Sequence, residues 1–117
     1  PYLVFGTPGG DQQDQWSLHL FLRHVHFKLN LQEAIDAPGF STAHFPNSFY
    51  PRETDIGHLA IERRFPMETI DELIKKGHKV IIDDDWSLGR MTAASKDNEI
   101  LKAAANPRFM QGYAIGR

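Results

Sequence analysis

The chain contains no cysteine among its 117 residues. This absence excludes disulfide bonds, zinc sites built on thiolates and a cysteine nucleophile. It leaves the compartment open, because exported bacterial proteins also often lack cysteine, so a cytoplasmic and a periplasmic or secreted location are both compatible with the sequence. No apolar stretch approaches the roughly 20 residues that a membrane-spanning helix needs. We therefore expect no membrane span in this chain.

The chain has no large excess of either charge, since its formal net charge is −2. Its lysines and arginines are scattered along the sequence. Nucleic-acid binding needs a basic patch, so nucleic acid is not an expected partner. His24 and His26 stand two positions apart on a predicted helix and point to opposite faces. The acidic turn Asp83-Asp84-Asp85 lacks the spaced ligands of a calcium loop. We therefore predict no metal site and no cofactor.

The beginning of the sequence has neither an initiator methionine nor a signal peptide. Pro1 opens directly onto the apolar run Tyr2–Phe5, which is typical of a buried strand with neighbours on both sides. We therefore expect residues 1–117 to be the later part of a larger polypeptide. On that interpretation the chain does not fold independently.

Strand and helix signals alternate along the chain without repeats or linkers, which indicates one domain or part of one. A long helix is predicted from about Asp11 to Lys28, followed by a short helix that Asn30 caps. A further helix begins near Pro66 and ends at Gly77. The apolar face of the first helix is predicted to consist of Leu18, Phe21, Leu22, Val25 and Leu29. The second helix is predicted over Leu31–Ala37, and strands are predicted over 58–62 and 80–82. Residues 90–95 and 100–105 are predicted to form a hairpin.

Two consecutive glycines, Gly9 and Gly10, lie between the first strand and the long helix. Glycine has no Cβ, so its backbone N–H can be presented directly to a ligand, and the first helical turn adds unpaired donors beside it. Such a loop is typical of a site that binds negative charge. The alternative is a tight turn that binds nothing. A phosphate-binding module is a third hypothesis, although the loop lacks a Lys-Ser/Thr pair and a third spaced glycine.

A set of short motifs, in this order, resembles the gamma-glutamyltransferases, also called gamma-glutamyltranspeptidases. Each motif alone is weak, but their order and spacing together are fairly specific and extend over nearly the whole chain. The motifs are Gly6-Thr7-Pro8-Gly9-Gly10 before a long helix, Leu31-Gln32-Glu33-Ala34-Ile35-Asp36-Ala37-Pro38, Leu73-Ile74-Lys75-Lys76-Gly77-His78-Lys79-Val80, Ala93-Ala94-Ser95, Asn106-Pro107-Arg108 and Gly112-Tyr113.

The resemblance implies an α+β fold, the four-layer αββα sandwich of the N-terminal nucleophile hydrolases, in which two stacked sheets lie between helices. Members of the family cut themselves into a large and a small subunit, and the chain would be the later part of the small one. Its expected partners are the upstream segment or large subunit of the same precursor and a gamma-glutamyl small-molecule substrate such as a glutathione-like donor. A threonine exposed by self-cleavage would lie upstream and attack the gamma-glutamyl carbonyl. Gly9 and Gly10 would then stabilise the oxyanion, and water or an amine would accept the acyl group.

The residues around the glycine pair, Thr7, Pro8 and Asp11, are the predicted wall of the substrate pocket. Thr7 is internal and has no free amine to act as its base, so it is interpreted as a turn or pocket-wall residue. Asp11 is interpreted as the N-cap of the long helix, or alternatively as a carboxylate that repels an anionic donor or binds an acceptor amine.

Three residues depart from the family pattern. Where this chain has Asp11, many transpeptidases have a small hydroxyl residue. Where it has Gly39 and Asn106, the family commonly has arginine or a similar residue and aspartate. These departures indicate a divergent branch with hydrolase or acylase character. A non-catalytic paralogue that keeps the fold and has lost the nucleophile is the alternative.

Overall fold

The structure is a computed structural model that describes residues 1–110 and 112–115. The chain divides into two compact units: Pro1–Ala37 with the described residues from Gly89 onward, and Pro38–Leu88. A π-helical turn, Leu22–His26, extends the first helix, and a 3-10 turn, Arg108–Met110, follows the last strand. In chain order the other elements are β1 (Leu3–Gly6), α1 (Gln12–Phe21), α2 (Leu31–Asp36), β2 (Phe40–Thr42), β3 (His58–Glu62), α3 (Met67–Lys75), β4 (Lys79–Asp83), β5 (Thr92–Asp97) and β6 (Ile100–Ala105).

The first unit contains a three-stranded sheet in the order β1-β5-β6, with both pairs antiparallel. Ala93 in the central strand pairs with Phe5 on one side and Ala104 on the other. The turn between β5 and β6 places Asn98 at a φ of 54°, a left-handed conformation that asparagine tolerates. The predicted hairpin is therefore confirmed, although its first strand begins two residues later than expected.

The core of the first unit is built from α1, α2 and the inner face of this sheet. The predicted apolar face of the first helix is wrong at Leu18 and Phe21, which are exposed, whereas the predicted Leu29 packs on the core. Leu20 is 1% exposed, whereas Leu18 is 54% exposed. Two helical positions differ by about 200°, so the two leucines face opposite sides. Trp16, one turn before Leu20, packs on the same core. The buried members are Leu20, Leu31, Ala34, Ile35, Met91, Ala93 and Ala104.

The short helix α2 begins with the predicted cap. The side chain of Asn30 accepts a hydrogen bond from the Glu33 N–H at 2.9 Å, and the Glu33 carboxylate accepts from the Asn30 N–H at 2.8 Å. This reciprocal capping box satisfies two backbone donors that the helix itself leaves unpaired. The prediction of a helix capped by Asn30 is confirmed.

The second unit contains the sheet β2-β3-β4, in which β2 and β3 are antiparallel and β3 and β4 are parallel. Parallel neighbours need a long crossover, and α3 provides it. Pro66 precedes α3 as the N-cap residue, and Gly77 ends it with a φ of +94°. The predicted helix between Pro66 and Gly77 is confirmed, as are the strands on either side.

Glu62 lies at the end of β3 and is completely buried. Its carboxylate accepts hydrogen bonds from the backbone N–H groups of Gly39 at 3.0 Å and Leu88 at 2.9 Å. The guanidinium of Arg64 is 3.3 Å away. A buried charge is tolerated only when it is paired and hydrogen-bonded, and these groups meet that condition.

Several apolar strand residues are exposed within this chain, notably Val4 at 57%, Ile81 at 50% and Ile82 at 44%. The described elements thus form a mixed α and β structure with two three-stranded sheets. The four-layer sandwich, and the covering of these strands by another part of the protein, stay predictions. None of the described helices has the length and apolar content needed to cross a bilayer.

Candidate functional site

The glycine pair lies in the loop that joins β1 to α1, as the sequence predicts. Gly9 has a φ of +137° and Gly10 a φ of +59°, both in the region that residues with a Cβ rarely adopt. The carbonyl oxygen of Gly10 accepts a hydrogen bond from the N–H of Gln13 at 3.1 Å, which fixes the loop to the first turn of α1. The conformation of the loop thus explains why glycine occupies both positions.

The backbone N–H groups of Gly9 and Gly10 have no hydrogen-bond acceptor in the part of the chain that the structure describes. Gly10 is exposed, and Gly9 is half-buried. Both groups adjoin the N-terminus of α1, where backbone donors also lack partners within the helix. Two available donors therefore stand at consecutive positions of a loop whose backbone conformation favours glycine.

The two neighbouring residues of the predicted pocket wall, Thr7 and Pro8, lie in the same loop. The hydroxyl of Thr7 donates a hydrogen bond to the carbonyl oxygen of Pro8 at 2.8 Å. The partner of this hydroxyl is a backbone carbonyl, which cannot act as a general base. The local geometry is that of a turn residue.

Asp11 occupies the N-cap position of α1, but its side chain makes no capping hydrogen bond. Its backbone is already helical, with φ −67° and ψ −19°. A capping side chain normally extends from a residue in the β region, so the helical backbone explains the missing bond. The interpretation of Asp11 as a side-chain cap is wrong, and its alternative roles at the substrate stay predictions.

Thr7 and Pro8 line a cleft of about 230 Å³ at the end of the sheet in the first unit. Gly9, Gly10 and Asp11 are not among its described lining residues. The lining includes two arginines, and much of it comes from residues that the sequence analysis did not select as site residues. Its described members are Gly6, Thr7, Pro8, Arg90, Thr92, Asn106, Arg108 and Gly112.

Asn106 and Arg108 form the buried floor of this cleft and are 4% and 3% exposed. The guanidinium of Arg108 donates to the carbonyl oxygens of Ile35 at 2.9 Å and Ala37 at 3.2 Å, at the end of α2. The Asn106 amide donates to the carbonyl oxygen of Gly89 at 3.0 Å. The Asn106-Pro107-Arg108 motif, which the sequence analysis quoted only for the family resemblance, was the sequence signal that could have identified both residues.

Trp16 lies between the glycine loop and Gly89. A Cβ placed on Gly9 would be 2.5 Å from Cζ3 of the indole, closer than any real contact. A Cβ placed on Gly89 would be 3.6 Å from Cγ of the same ring system. The indole therefore contacts the glycine loop from the core side.

The histidines contribute no metal site in the described residues, where no three His, Cys, Asp or Glu side chains are grouped closely enough to hold an ion. His19 on α1 has its pKa lowered from 6.5 to about 4, first by burial and second by the charge of Arg23. Burial disfavours the charged imidazolium, so His19 is neutral near pH 7.

The chain is similar to known proteins over its whole length. A family model described as gamma-glutamyltranspeptidase matches residues 1–116. The glutathione hydrolase-like YwrD proenzyme of Bacillus subtilis is 30% identical over 119 residues, which cover 99% of this chain and 21% of that protein. The oxamate amidohydrolase proenzyme of Klebsiella pneumoniae is 32% identical over 117 residues, which cover 97% of this chain and 21% of that protein.

Among solved structures, that of LmbA2991T421A is 50% identical and superimposes with a TM-score of 0.92, covering 100% of this chain and 21% of the other. The chain thus spans about a fifth of the length of these relatives.

Proposed function

Since this chain belongs to the gamma-glutamyltranspeptidase family, we propose that its protein cleaves gamma-glutamyl amide bonds of glutathione-like donors through an acyl-enzyme. The chain would supply the oxyanion hole, and the rest of the precursor would supply the nucleophile and the contacts to the glutamyl group. The names of the two curated relatives include the word proenzyme, which supports a precursor that is processed. We place this chain in the later part of the small subunit.

The observation that carries the proposal is the pair of adjacent donors at Gly9 and Gly10. Attack on an amide carbonyl creates a tetrahedral intermediate with negative charge on one oxygen, and fixed backbone N–H groups stabilise that charge. The two N–H groups have no acceptor in the described part of the chain. They are thus available to an oxyanion that exists only during the reaction.

The reaction would proceed through two balanced steps. The amine of an upstream N-terminal threonine takes the proton of its own hydroxyl as the oxygen attacks the gamma-glutamyl carbonyl. The amine half of the substrate accepts that proton and leaves as the threonine ester forms. Water or a second amine then attacks the ester and gives its proton to the threonine amine. The bond between the acyl carbon and the threonine oxygen breaks, the amine returns the proton to that oxygen, and the glutamyl product is released. Thr7 is not the threonine of this proposal, because it lies within the chain and has no free α-amine to act as its base.

A second candidate is an amidohydrolase that acts on another small carboxylate-bearing amide and uses water as its acceptor. The 32% identity to the oxamate amidohydrolase proenzyme favours this candidate. Both candidates use the same oxyanion, so they differ in the donor and not in the role of the glycine loop.

The first experiment is intact-mass analysis of the whole protein, combined with turnover of a gamma-glutamyl anilide and of oxamate. The proposal would be supported by turnover of the anilide together with two fragments, the second of which begins with a threonine. Oxamate turnover alone would favour the second candidate. A single unprocessed chain without turnover would indicate a non-catalytic paralogue.

The second experiment tests the glycine loop with Gly10→Ala, because a methyl at Gly9 would also displace Trp16. Alanine keeps the backbone N–H, but its Cβ strains the left-handed backbone at φ +59° and turns that donor away from the oxyanion, so we expect kcat to fall at least about tenfold with little change in KM. Gly57→Ala is the matched control, since Gly57 lies in the second unit at a φ of +84° and an added Cβ has its nearest neighbour 3.7 Å away. An unchanged kcat in a folded and processed Gly10→Ala enzyme would contradict the requirement for glycine at this position of the loop.

A further inference from the structure

The indole of Trp16 bridges two glycines that are far apart in the sequence. The ring atoms nearest to a Cβ on Gly9 are Cζ3, Cη2 and Cε3, at 2.5, 3.3 and 3.4 Å, and all three belong to the six-membered ring. The atoms nearest to a Cβ on Gly89 are Cγ, Cδ2 and Cδ1, at 3.6, 3.7 and 3.8 Å, and these belong to the five-membered ring. One bicyclic side chain therefore contacts both glycines, each with a different ring.

Both glycines have backbone conformations in which a residue with a side chain would be strained. The φ angle is +137° at Gly9 and +85° at Gly89. The space that a Cβ of Gly9 would occupy is already filled by the six-membered ring. The peptide of Gly9 is thus in direct contact with an aromatic surface. A change in the position of that surface must change the position of the peptide.

The side of the indole at Gly89 is held by buried groups. The amide of Asn106 donates to the carbonyl oxygen of Gly89 at 3.0 Å. Asn106 is itself fixed, since its oxygen accepts a hydrogen bond from the N–H of Arg108. Trp16 also packs on the core of the first unit. Buried hydrogen bonds therefore fix the position of Gly89. The indole packs against Gly89, and Gly9 packs against the other end of the indole.

The indole is held in the described part of the chain by packing and not by hydrogen bonding. Its Nε1 atom is buried and has no hydrogen-bond partner among the described residues. Buried tryptophan N–H groups usually have an acceptor. Among the described residues, the contacts of Trp16 are therefore made by the surfaces of its two fused rings.

We propose that Trp16 is a positioning residue that acts through Gly9: its indole, supported by Gly89, sets the direction of the N–H groups of Gly9 and Gly10. This inference rests on the proposed oxyanion role of the loop. Hydrogen bonds to a developing charge depend strongly on direction, and small displacements of a positioned group lower rates considerably. In this proposal Trp16 acts on the reaction only through its contact with Gly9.

The test uses the full-length protein with Trp16→Phe, in which a single ring cannot reach both glycines. We expect kcat to fall at least tenfold while KM changes less than twofold. The affinity for a boronate analogue of glutamate, which forms a tetrahedral anionic adduct, should fall by the same factor as kcat. The affinity for glutamate itself, a planar carboxylate product, should stay within twofold. Trp86→Phe in the second unit is the matched control and should leave all four quantities within twofold.

A second variant preserves the shape and removes only the N–H. Replacement of Trp16 by benzothienylalanine keeps two fused rings and substitutes sulfur for the indole nitrogen, so we expect kcat within twofold of the wild type. A kcat as low as that of the phenylalanine variant would show that the N–H matters and would overturn the proposal. Because this replacement is nearly isosteric, it stays informative if Trp16→Phe fails to fold.

A double-mutant cycle tests the contact itself. Gly9→Ala in the wild type places a methyl against the indole, whereas the same change beside Trp16→Ala meets no ring. We expect the loss of kcat caused by Gly9→Ala to be at least tenfold smaller in the Trp16→Ala background. Independent effects would overturn the proposal. Absence of gamma-glutamyl turnover in the wild type would instead refute the proposed function, so the two failures are distinguishable.

Discussion

Asn106 and Gly89 are joined by a buried hydrogen bond, in which Nδ2 of Asn106 donates to the carbonyl oxygen of Gly89 at 3.0 Å. The oxygen of the same amide accepts from the N–H of Arg108. The side chain therefore needs a donor at one end and an acceptor at the other. An aspartate at this position would supply only the acceptor. The pair accounts for the asparagine in this chain.

Asn106→Asp should destabilise the protein, because a carboxylate oxygen would face the carbonyl oxygen of Gly89 in a buried site. The expected loss is about 1–3 kcal/mol, the cost of leaving a buried polar group without its partner. The measurement is the shift of the urea unfolding midpoint. Asn98→Asp in the exposed hairpin turn is the control and should change little, since aspartate also tolerates the left-handed conformation. Equal midpoints for Asn106→Asp and the wild type would contradict the assigned hydrogen bond.

Elements with local end signals could be predicted from the sequence. The capping box of Asn30 and Glu33, the glycine after α3 and the polar turn before Glu99 act within a few residues and are visible as patterns. The face of α1 could not be predicted, because its apolar residues point in different directions around the helix axis; these residues are Trp16, Leu18, Leu20 and Phe21. Whether Leu18 or Leu20 is buried depends on which elements pack against the helix, and that information lies outside the local sequence.

The candidate site was predictable only where it is continuous in sequence. Gly9 and Gly10 were selected because they follow a strand and precede a helix. The contact of Trp16 with Gly89 requires β5 and β6 to return beside β1, so no local pattern indicates it. Asp11 illustrates the reverse error, since a residue type favoured at N-caps has a helical backbone here and does not cap.

Glu62→Gln should weaken the second unit. The carboxylate of Glu62 accepts from Gly39 and Leu88, and an amide would place its NH₂ group against one of these N–H donors. We expect about 1–3 kcal/mol of destabilisation from the unsatisfied group. Hydrogen exchange at the Gly39 and Leu88 amides should accelerate correspondingly. Glu68→Gln in the exposed first turn of α3 should leave both exchange rates unchanged, and equal rates in the two variants would disprove the assigned role.

Asn30→Ala should destabilise α2, because the N–H of Glu33 would lose its acceptor. The expected cost is about 0.5–2 kcal/mol, as for other N-cap substitutions. Glu33→Gln is the informative comparison, since glutamine keeps an oxygen that can accept from Asn30 and preserves the capping box. Amide hydrogen exchange across Leu31–Ala34 reports the difference. If both variants exchange at the same rate as the wild type, the cap contributes nothing measurable.

His19 should make stability depend on pH in the acidic range. Its pKa in the folded protein is lowered to about 4 from 6.5, mainly by burial. Between these values the unfolded chain binds more protons than the folded one, so stability is complete above pH 6.5 and falls as the pH decreases toward 4. The contribution is at most about 3 kcal/mol, given about 1.4 kcal/mol per pKa unit. His19→Gln should therefore lose less stability than the wild type between pH 7.5 and 5 in urea unfolding. A wild-type dependence in His19→Gln would show that the pKa of His19 is not lowered in the folded protein.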